Sequence, residues 1–261
     1  MSGSVSHPDI QAGRRALDGA DTVVVLTGAG ISADSGVPTF RGPGGLWKDH
    51  LPEELATPAA FARDPRLVWE WYGWRRTLVA ACRPNEAHLA LARWAANRSG
   101  VDIITQNVDG LHLAAAKDAG TVLELHGSLF RTRCIGCGAI RESREPIDAS
   151  SESTLPRCDR CHAMLRPDVV WFGEPLDTHV LDRSFELAER TDACLVVGTS
   201  GVVQPAASIA SVAARAGAAL VEVNLELTPI TASANVSLLG RAAEIVPRLV
   251  GGADSSSETR R

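Results

Sequence analysis

Five short apolar runs, at 22–27, 101–105, 121–125, 193–198 and 218–223, narrow the possible folds of this chain more than any other feature. Each has the length of a strand and is apolar at nearly every position, which suits a strand covered on both faces. Helical stretches such as 86–97 and 205–216 lie between them. That alternation predicts an α/β fold with a mostly parallel, doubly wound sheet. In such a sheet the ligand sits beyond the carboxyl ends of the strands. Two segments break the rhythm. Residues 42–85 hold a Gly/Pro-rich loop followed by helical material, and residues 130–165 surround a polar stretch, RESREPIDASSESTLPR. The polar stretch reads as a mobile surface excursion. Both segments leave the core near strand ends and so can roof the ligand crevice. Residues 251–261 read as a disordered tail.

Bulk properties exclude some classes of function. The formal net charge of −5 gives no broad attraction for nucleic acid, and Arg131 with Arg133 is too short a basic cluster to supply one. No apolar run reaches about 18 residues, so no membrane span is expected. The opening MSGSVSHPDIQAG has neither a charged leader nor an apolar core, and the cysteine usage fits a reducing compartment. A cytoplasmic protein follows by default. Cys194, in an apolar strand, and Cys82, at a helix end, read as small core residues.

The first strand runs into G-A-G at Gly28 and Gly30, with Ala33 where a third glycine often stands. Such a turn lets backbone approach a pyrophosphate, and the helix start that follows offers unpaired N–H groups to its charge. The missing G-K-[ST] argues against a P-loop. An ordinary dehydrogenase would also carry an acid about 20 residues on, at the end of a second strand. Here no strand precedes Asp49, so a dinucleotide can bind without hydride transfer being the reaction. Polar residues at later strand ends could hold the ribose instead: Thr199 and Ser200 after the fourth run, Asn224 and Glu226 after the fifth. Strand-end capping explains those four equally well. Gln106, Asn107 and Asp109 follow the strand VDIIT and form a plausible amide- and ribose-reading group, although a helix cap would account for Asp109. His126 follows the strand TVLEL, and an imidazole at a crevice edge suits proton abstraction from a hydroxyl. His88, His112, His162 and His179 need no such role.

Cys134, Cys137, Cys158 and Cys161 form C-x2-C-x20-C-x2-C. That spacing fits one tetrahedral Zn2+ held by four thiolates, and a closed set of four is structural rather than hydrolytic. The metal would order a polar insertion that has little core of its own.

With these residues assembled, the chain resembles the sirtuins, the NAD-dependent protein lysine deacylases. The resemblance rests on GAGISADSGVPTFRG (28–42), TQNVDGLH (105–112), ELHGS (124–128), the cysteine pairs, VVWFGE (169–174), VGTSGVVQPAA (197–207) and VNLE (223–226). It implies a Rossmann-like NAD-binding domain from 1–41, 86–129 and 166–250. It also implies a small module from the helical insertion 42–85 and a zinc knuckle 130–165. NAD contacts are implied for Gly28, Ala29, Gly30, Phe40, Arg41, Gln106, Asn107, Asp109, His126, Gly198, Thr199, Ser200, Asn224, Glu226 and Ala242. His126 is implied as the base, with Asn107 beside it. Val170, Trp171, Phe172 and Gly173 are implied to line an acyl-lysine tunnel, with the peptide pairing as an added strand. The implied reaction yields nicotinamide, O-acyl-ADP-ribose and free lysine. No nucleic acid or membrane partner is implied, and a monomer is expected.

Tyr72 and Arg75 stand three apart on one helix face, where an arginine fork could meet a carboxylate. This Y-x-x-R pattern, with Ala56 leaving room nearby, resembles the sirtuins that remove succinyl and malonyl groups. Desuccinylation and demalonylation are therefore expected, with deacetylation weaker or parallel. A predominantly deacetylating enzyme, an ADP-ribosyltransferase and a non-enzymatic NAD-sensing module are the alternatives.

Overall fold

In the computed structural model, residues 7–38, 55–116 and 122–251 are described. Phe40, Arg41, Asp49, the insertion's first part (42–54) and the tail beyond residue 251 lie outside them. Six parallel strands build the main sheet: β1 (Val23–Thr27), β2 (Val101–Thr105), β3 (Val122–Glu124), β7 (Ala193–Val197), β8 (Ala219–Asn224) and β9 (Val236–Leu239). Their spatial order is β3-β2-β1-β7-β8-β9, every neighbouring pair parallel. The chain thus winds outward from β1 in one direction, returns, and winds outward again from β7. The reversal between β1 and β7 is where a doubly wound sheet opens a crevice at its carboxyl edge. The five apolar runs appear within a residue or two of their expected limits. β9 lies outside those runs.

Alternation within the strands explains the two layers of helices. Val23 and Val25 of β1 face one apolar core, with Leu17, Leu91, Ile245 and Leu249. These last belong to α1 (His7–Asp18), α4 (Glu86–Asn97) and α8 (Ala242–Val250). Val24 and Leu26 face the opposite core, with Ala188, Ile209 and Ala210 of α6 (Thr178–Arg190) and α7 (Ala207–Arg215). Cys194 is fully buried in this second core, as a small apolar residue would be.

A third core belongs to the small module. It holds α2 (Pro58–Arg63), α3 (Pro65–Ala81) and a three-stranded antiparallel sheet of β4 (Gly127–Cys134), β5 (Ile140–Glu142) and β6 (Leu165–Val169). Thr57 and Asp64 cap α2 and α3 by accepting from Ala60 and Leu67 backbone N–H groups. Trp69, Trp71, Tyr72, Phe61, Leu129, Phe130 and Trp171 pack together here, and Cys82 sits partly buried against them.

The polar stretch 141–157 is not the loose excursion its composition suggests. Leu155 is buried, Ile147 and Ala149 pack on the third core, and Arg76 donates to the carbonyls of Ser143 and Glu145. A few apolar anchors and one buried guanidinium hold a segment whose average polarity conceals them.

Candidate active site

The Gly28–Gly30 turn differs from the expected strand-to-helix anion site. The segment Ala29–Ser35 is a 3-10 helix, and the N–H groups of Gly28 and Gly30 are engaged by the carbonyls of Val197 and Gly198 at 3.0 and 2.8 Å. The glycines serve close packing of two strand ends. A Cβ on Gly30 would stand 2.7 Å from the Gly198 Cα, and one on Gly28 would stand 2.8 Å from the Thr199 Cα. Gly198 itself has φ +62, a conformation in which a side chain is strained. The two sides of the switch point are therefore pressed together, and Ala29 and Gly30 remain half-buried at its mouth.

Polar groups from four strand ends converge there. Gln106, after β2, donates its Nε2 to Thr199 Oγ1 at 2.9 Å, and Asn224, ending β8, donates its Nδ2 to the Thr199 carbonyl at 2.7 Å. Asn107 is buried and donates its Nδ2 to the Gly28 carbonyl and to Ser32 Oγ, both at 3.1 Å. Ser32 in turn donates to Asp109 Oδ2 at 2.8 Å. Asp109 Oδ1 accepts from the Leu111 N–H at 2.9 Å, but the N-cap of the short helix that follows is Gly110, so Asp109 is not the helix cap that the sequence allowed. Burial pushes the Asp109 carboxyl upward, opposed by the Leu111 and Ser32 bonds. Ser200 and Glu226 are exposed beyond this cluster, and Ala242 is buried as the first residue of α8.

His126 follows β3 at the same edge. Its Nδ1 lies 2.9 Å from the Gln106 carbonyl oxygen, which can only accept, so Nδ1 carries the proton and Nε2 keeps its lone pair. Burial holds its pKa below the ordinary imidazole value, against the Gln106 bond, so the ring is neutral near pH 7 and able to accept a proton.

Two histidines set aside from the sequence lie under the cluster. His88 Nδ1 accepts from the Asn85 N–H at 3.4 Å, leaving Nε2–H to face Ser32 Oγ at 3.3 Å. His112 Nε2 lies 2.9 Å from Thr27 Oγ1, which donates to Thr105 Oγ1 at 2.8 Å. The Asn107 N–H donates to that same Thr105 hydroxyl at 3.0 Å. Ser32, Thr27 and Thr105 were not singled out from sequence. Their only signal was a hydroxyl at or just after a strand's carboxyl end.

On the small-module side, the segment 169–174 curls under several ties. The Val170 N–H donates to the His126 carbonyl at 2.9 Å and the Phe172 N–H to the Ala56 carbonyl at 3.0 Å. Arg166 grips both Glu174 oxygens, at 2.5 and 2.9 Å, and lies 3.5 Å over the Trp171 ring. Trp171 donates its indole N–H to the Tyr72 hydroxyl at 2.9 Å. Tyr72 and Arg75 are both buried on the inner face of α3, and the Arg75 guanidinium lies 4.7 Å from the Trp71 ring centroid and 5.4 Å from that of Tyr72. Phe172 and Gly173 are exposed at the cleft mouth. Tyr72, Arg75, Ala56 and Trp171 are thus brought into one neighbourhood. Arg76, the next residue of α3, is instead bonded to the Leu129 carbonyl at 2.8 Å.

The four cysteines gather at the far end of the small sheet, their Sγ atoms all within 4.8 Å of one another, and none is in a disulfide. Backbone N–H groups of Cys137 and Gly136 point at Cys134 Sγ and hold that thiol down to about 6. A set of four close sulfurs, none in a disulfide, fits a tetrahedral metal with no open position.

A family model described as the Sir2 family matches residues 28–205. NAD-dependent protein deacylase 2 of Pyrobaculum aerophilum is 54% identical over 227 residues, covering 87% of this chain and 89% of its own. A Sir2 homologue solved as its NAD complex superposes with a TM-score of 0.85 at 45% identity, covering 95% of this chain and 94% of that one. A Sir2 variant solved with a deacetylated p53 peptide and 3′-O-acetyl ADP-ribose gives 0.82 at 31% identity, covering 92% and 96%.

Proposed function

The chain belongs to the Sir2 family, and we infer from its site that it acts as an NAD-dependent protein lysine deacylase. The observation carrying this reading is the convergence at the sheet's switch point. A neutral imidazole with a free Nε2 stands there, beside a buried amide–hydroxyl–carboxylate cluster and next to an aromatic cleft wall. NAD bound there would supply an electrophilic ribose carbon, with nicotinamide as its leaving group. The chain's residues do the rest. Asn107 and Asp109 face the nicotinamide end, held in place by Ser32. Thr199, Ser200, Asn224 and Glu226 serve the adenosine end. His126 Nε2 takes the proton of a ribose hydroxyl and so makes that oxygen nucleophilic. Val170, Trp171, Phe172 and Gly173 bind the acyl-lysine, the peptide adding as a strand along the segment they form. Phe40, Arg41 and Ala242 complete the proposed NAD contacts. One Zn2+ on the four cysteines would hold the small module's shape without joining the chemistry.

The acetyl chemistry of the solved relatives favours deacetylation as the principal activity. This reverses the order in which the sequence suggested the acyl groups. A second reading, removal of succinyl and malonyl groups, rests on the inward, buried Tyr72 and Arg75. The Tyr72 oxygen already accepts from Trp171, so its own O–H is left to donate toward an acid. Mass spectrometry of matched acetyl-, malonyl- and succinyl-lysine peptides, with and without NAD, tests both readings. The family reading expects NAD-dependent acyl loss from at least one peptide, and none from any would refute it. The acid reading expects Arg75→Met to lower desuccinylation at least tenfold more than deacetylation. Equal losses would remove it.

A further inference from the structure

We propose that Arg131 is a positioning residue of this reaction, tying the strand that ends at the base to the strand that leads into the acyl-lysine cleft. The inference rests on the deacylase reading and adds to it a residue that touches neither substrate nor cofactor.

Its basis is a break in the small sheet. β4 pairs with β6 as Gly127↔Val169 and Ser128↔Asp168, then resumes at Thr132↔Pro167. Leu129, Phe130 and Arg131 therefore stand opposite a single peptide link. A bulge of this kind re-aims the side chains it carries. Here it sends Arg131 back along β4 toward the active edge. The guanidinium meets two carboxylates: Nη1 lies 2.9 Å from Glu124 Oε2 and Nε lies 3.0 Å from Asp168 Oδ2. Both acids are nearly inaccessible, with side chains 7% and 6% exposed, so each depends on its cation.

The placement of those acids gives the ion pairs their meaning. Glu124 ends β3, two residues before His126, and Asp168 precedes Val169 and Val170. The main chains are already in contact: Val170 N–H donates to the His126 carbonyl at 2.9 Å. Gly127, at φ +80, leaves no room for a side chain, since a Cβ would lie 2.0 Å from the Asp168 carbonyl oxygen. Arg131 thus adds a side-chain brace to a backbone junction that fixes the distance from base to substrate. Arg133 shares Asp168, at 2.8 Å from Oδ1, whereas the bond to Glu124 is made by Arg131. Arg133 is the natural control: a merely local charge on Asp168 is served by either arginine, whereas bridging needs Arg131.

Steady-state kinetics on Arg131→Met, Arg131→Lys, Glu124→Gln and Arg133→Met, each as full-length metal-loaded protein, test this. Arg131→Met is expected to raise KM for the acyl peptide and lower kcat, changing kcat/KM at least tenfold, with the NAD dissociation constant within twofold of wild type. Arg131→Lys should recover part of the loss, Glu124→Gln should show a threefold or greater loss in the same parameters, and Arg133→Met should stay within twofold. Unchanged peptide kinetics in Arg131→Met would overturn the proposal, as would an equal loss in Arg133→Met or a parallel loss of NAD affinity. Should Arg131→Met not fold, Glu124→Gln decides alone, and wild-type kinetics in it overturn the proposal. Wild-type protein without any deacylase activity would instead refute the functional reading itself.

Discussion

At the scale of single residues, the site relies on imidazoles kept neutral by burial. As the proposed base, His126 needs that state in order to accept a proton, and its Nδ1 bond to the Gln106 carbonyl leaves the lone pair on Nε2. His88 and His112 need it for a different reason: a charge on either would lie unpaired beneath Asn107 and Asp109. Burial lowers His88 to about 4 and His112 to about 3, the neighbouring His88 adding to the effect on His112. The sign follows directly. Between the unfolded value of about 6.5 and these folded values, the unfolded chain binds protons that the folded chain refuses, so stability falls as pH falls through that window. Urea unfolding of wild type and His112→Gln from pH 7 to pH 4 should show a shallower slope in the variant. The difference should approach one proton, about 1.4 kcal/mol per pH unit. Identical slopes would mean that His112 is not held neutral. The sequence exposed His126 and the four cysteines because each signal is local: a strand followed by H-G, and two pairs at fixed spacing. It could not expose Ser32 as the link between Asn107 and Asp109, because that role exists only once positions 75 and 77 residues apart are brought together.

At the scale of elements, the structure separates what periodicity can predict from what contact decides. Helix 86–97 was legible because its buried positions recur at helical spacing, and the five runs because they are apolar at nearly every position over a strand's length. The 3-10 turn after β1 was not, because its form answers to Gly198 pressing on it from a distant strand. The β4 bulge was equally hidden, since only the partner strand reveals that three residues are extra. The four-cysteine segment is an element whose order should come from the metal it is proposed to hold. Its sheet continues through β4 into the aromatic core, where Trp69 and Tyr72 are among the largest fully buried side chains. Stripping the metal with a strong chelator should therefore reduce the near-ultraviolet signal of the small module's tryptophans and abolish activity. The far-ultraviolet signal of the parallel sheet and its helices should largely remain. Full activity with metal removal verified by elemental analysis would contradict a structural metal at this position.

At the scale of the whole molecule, a parallel sheet with a core on each face meets a small module with a third, aromatic core. The large sheet offers polar residues at its strand ends, and the small module offers an aromatic wall tied to that edge where the Val170 N–H donates to the His126 carbonyl. No helix among the described residues is long and apolar enough to cross a membrane. On the proposed reading, a cleft bounded by His126 on one side and the aromatic wall on the other couples two events: departure of nicotinamide and release of lysine. The most direct measurement of that coupling counts both products of one reaction, nicotinamide and deacylated peptide, from purified protein with NAD and an acetyl-lysine peptide. One nicotinamide per acyl group removed, with the acyl group recovered on ADP-ribose and no deacylation without NAD, is the predicted result. Acyl loss without NAD, or nicotinamide release that leaves the acyl-lysine intact and ADP-ribose on protein, would contradict the account.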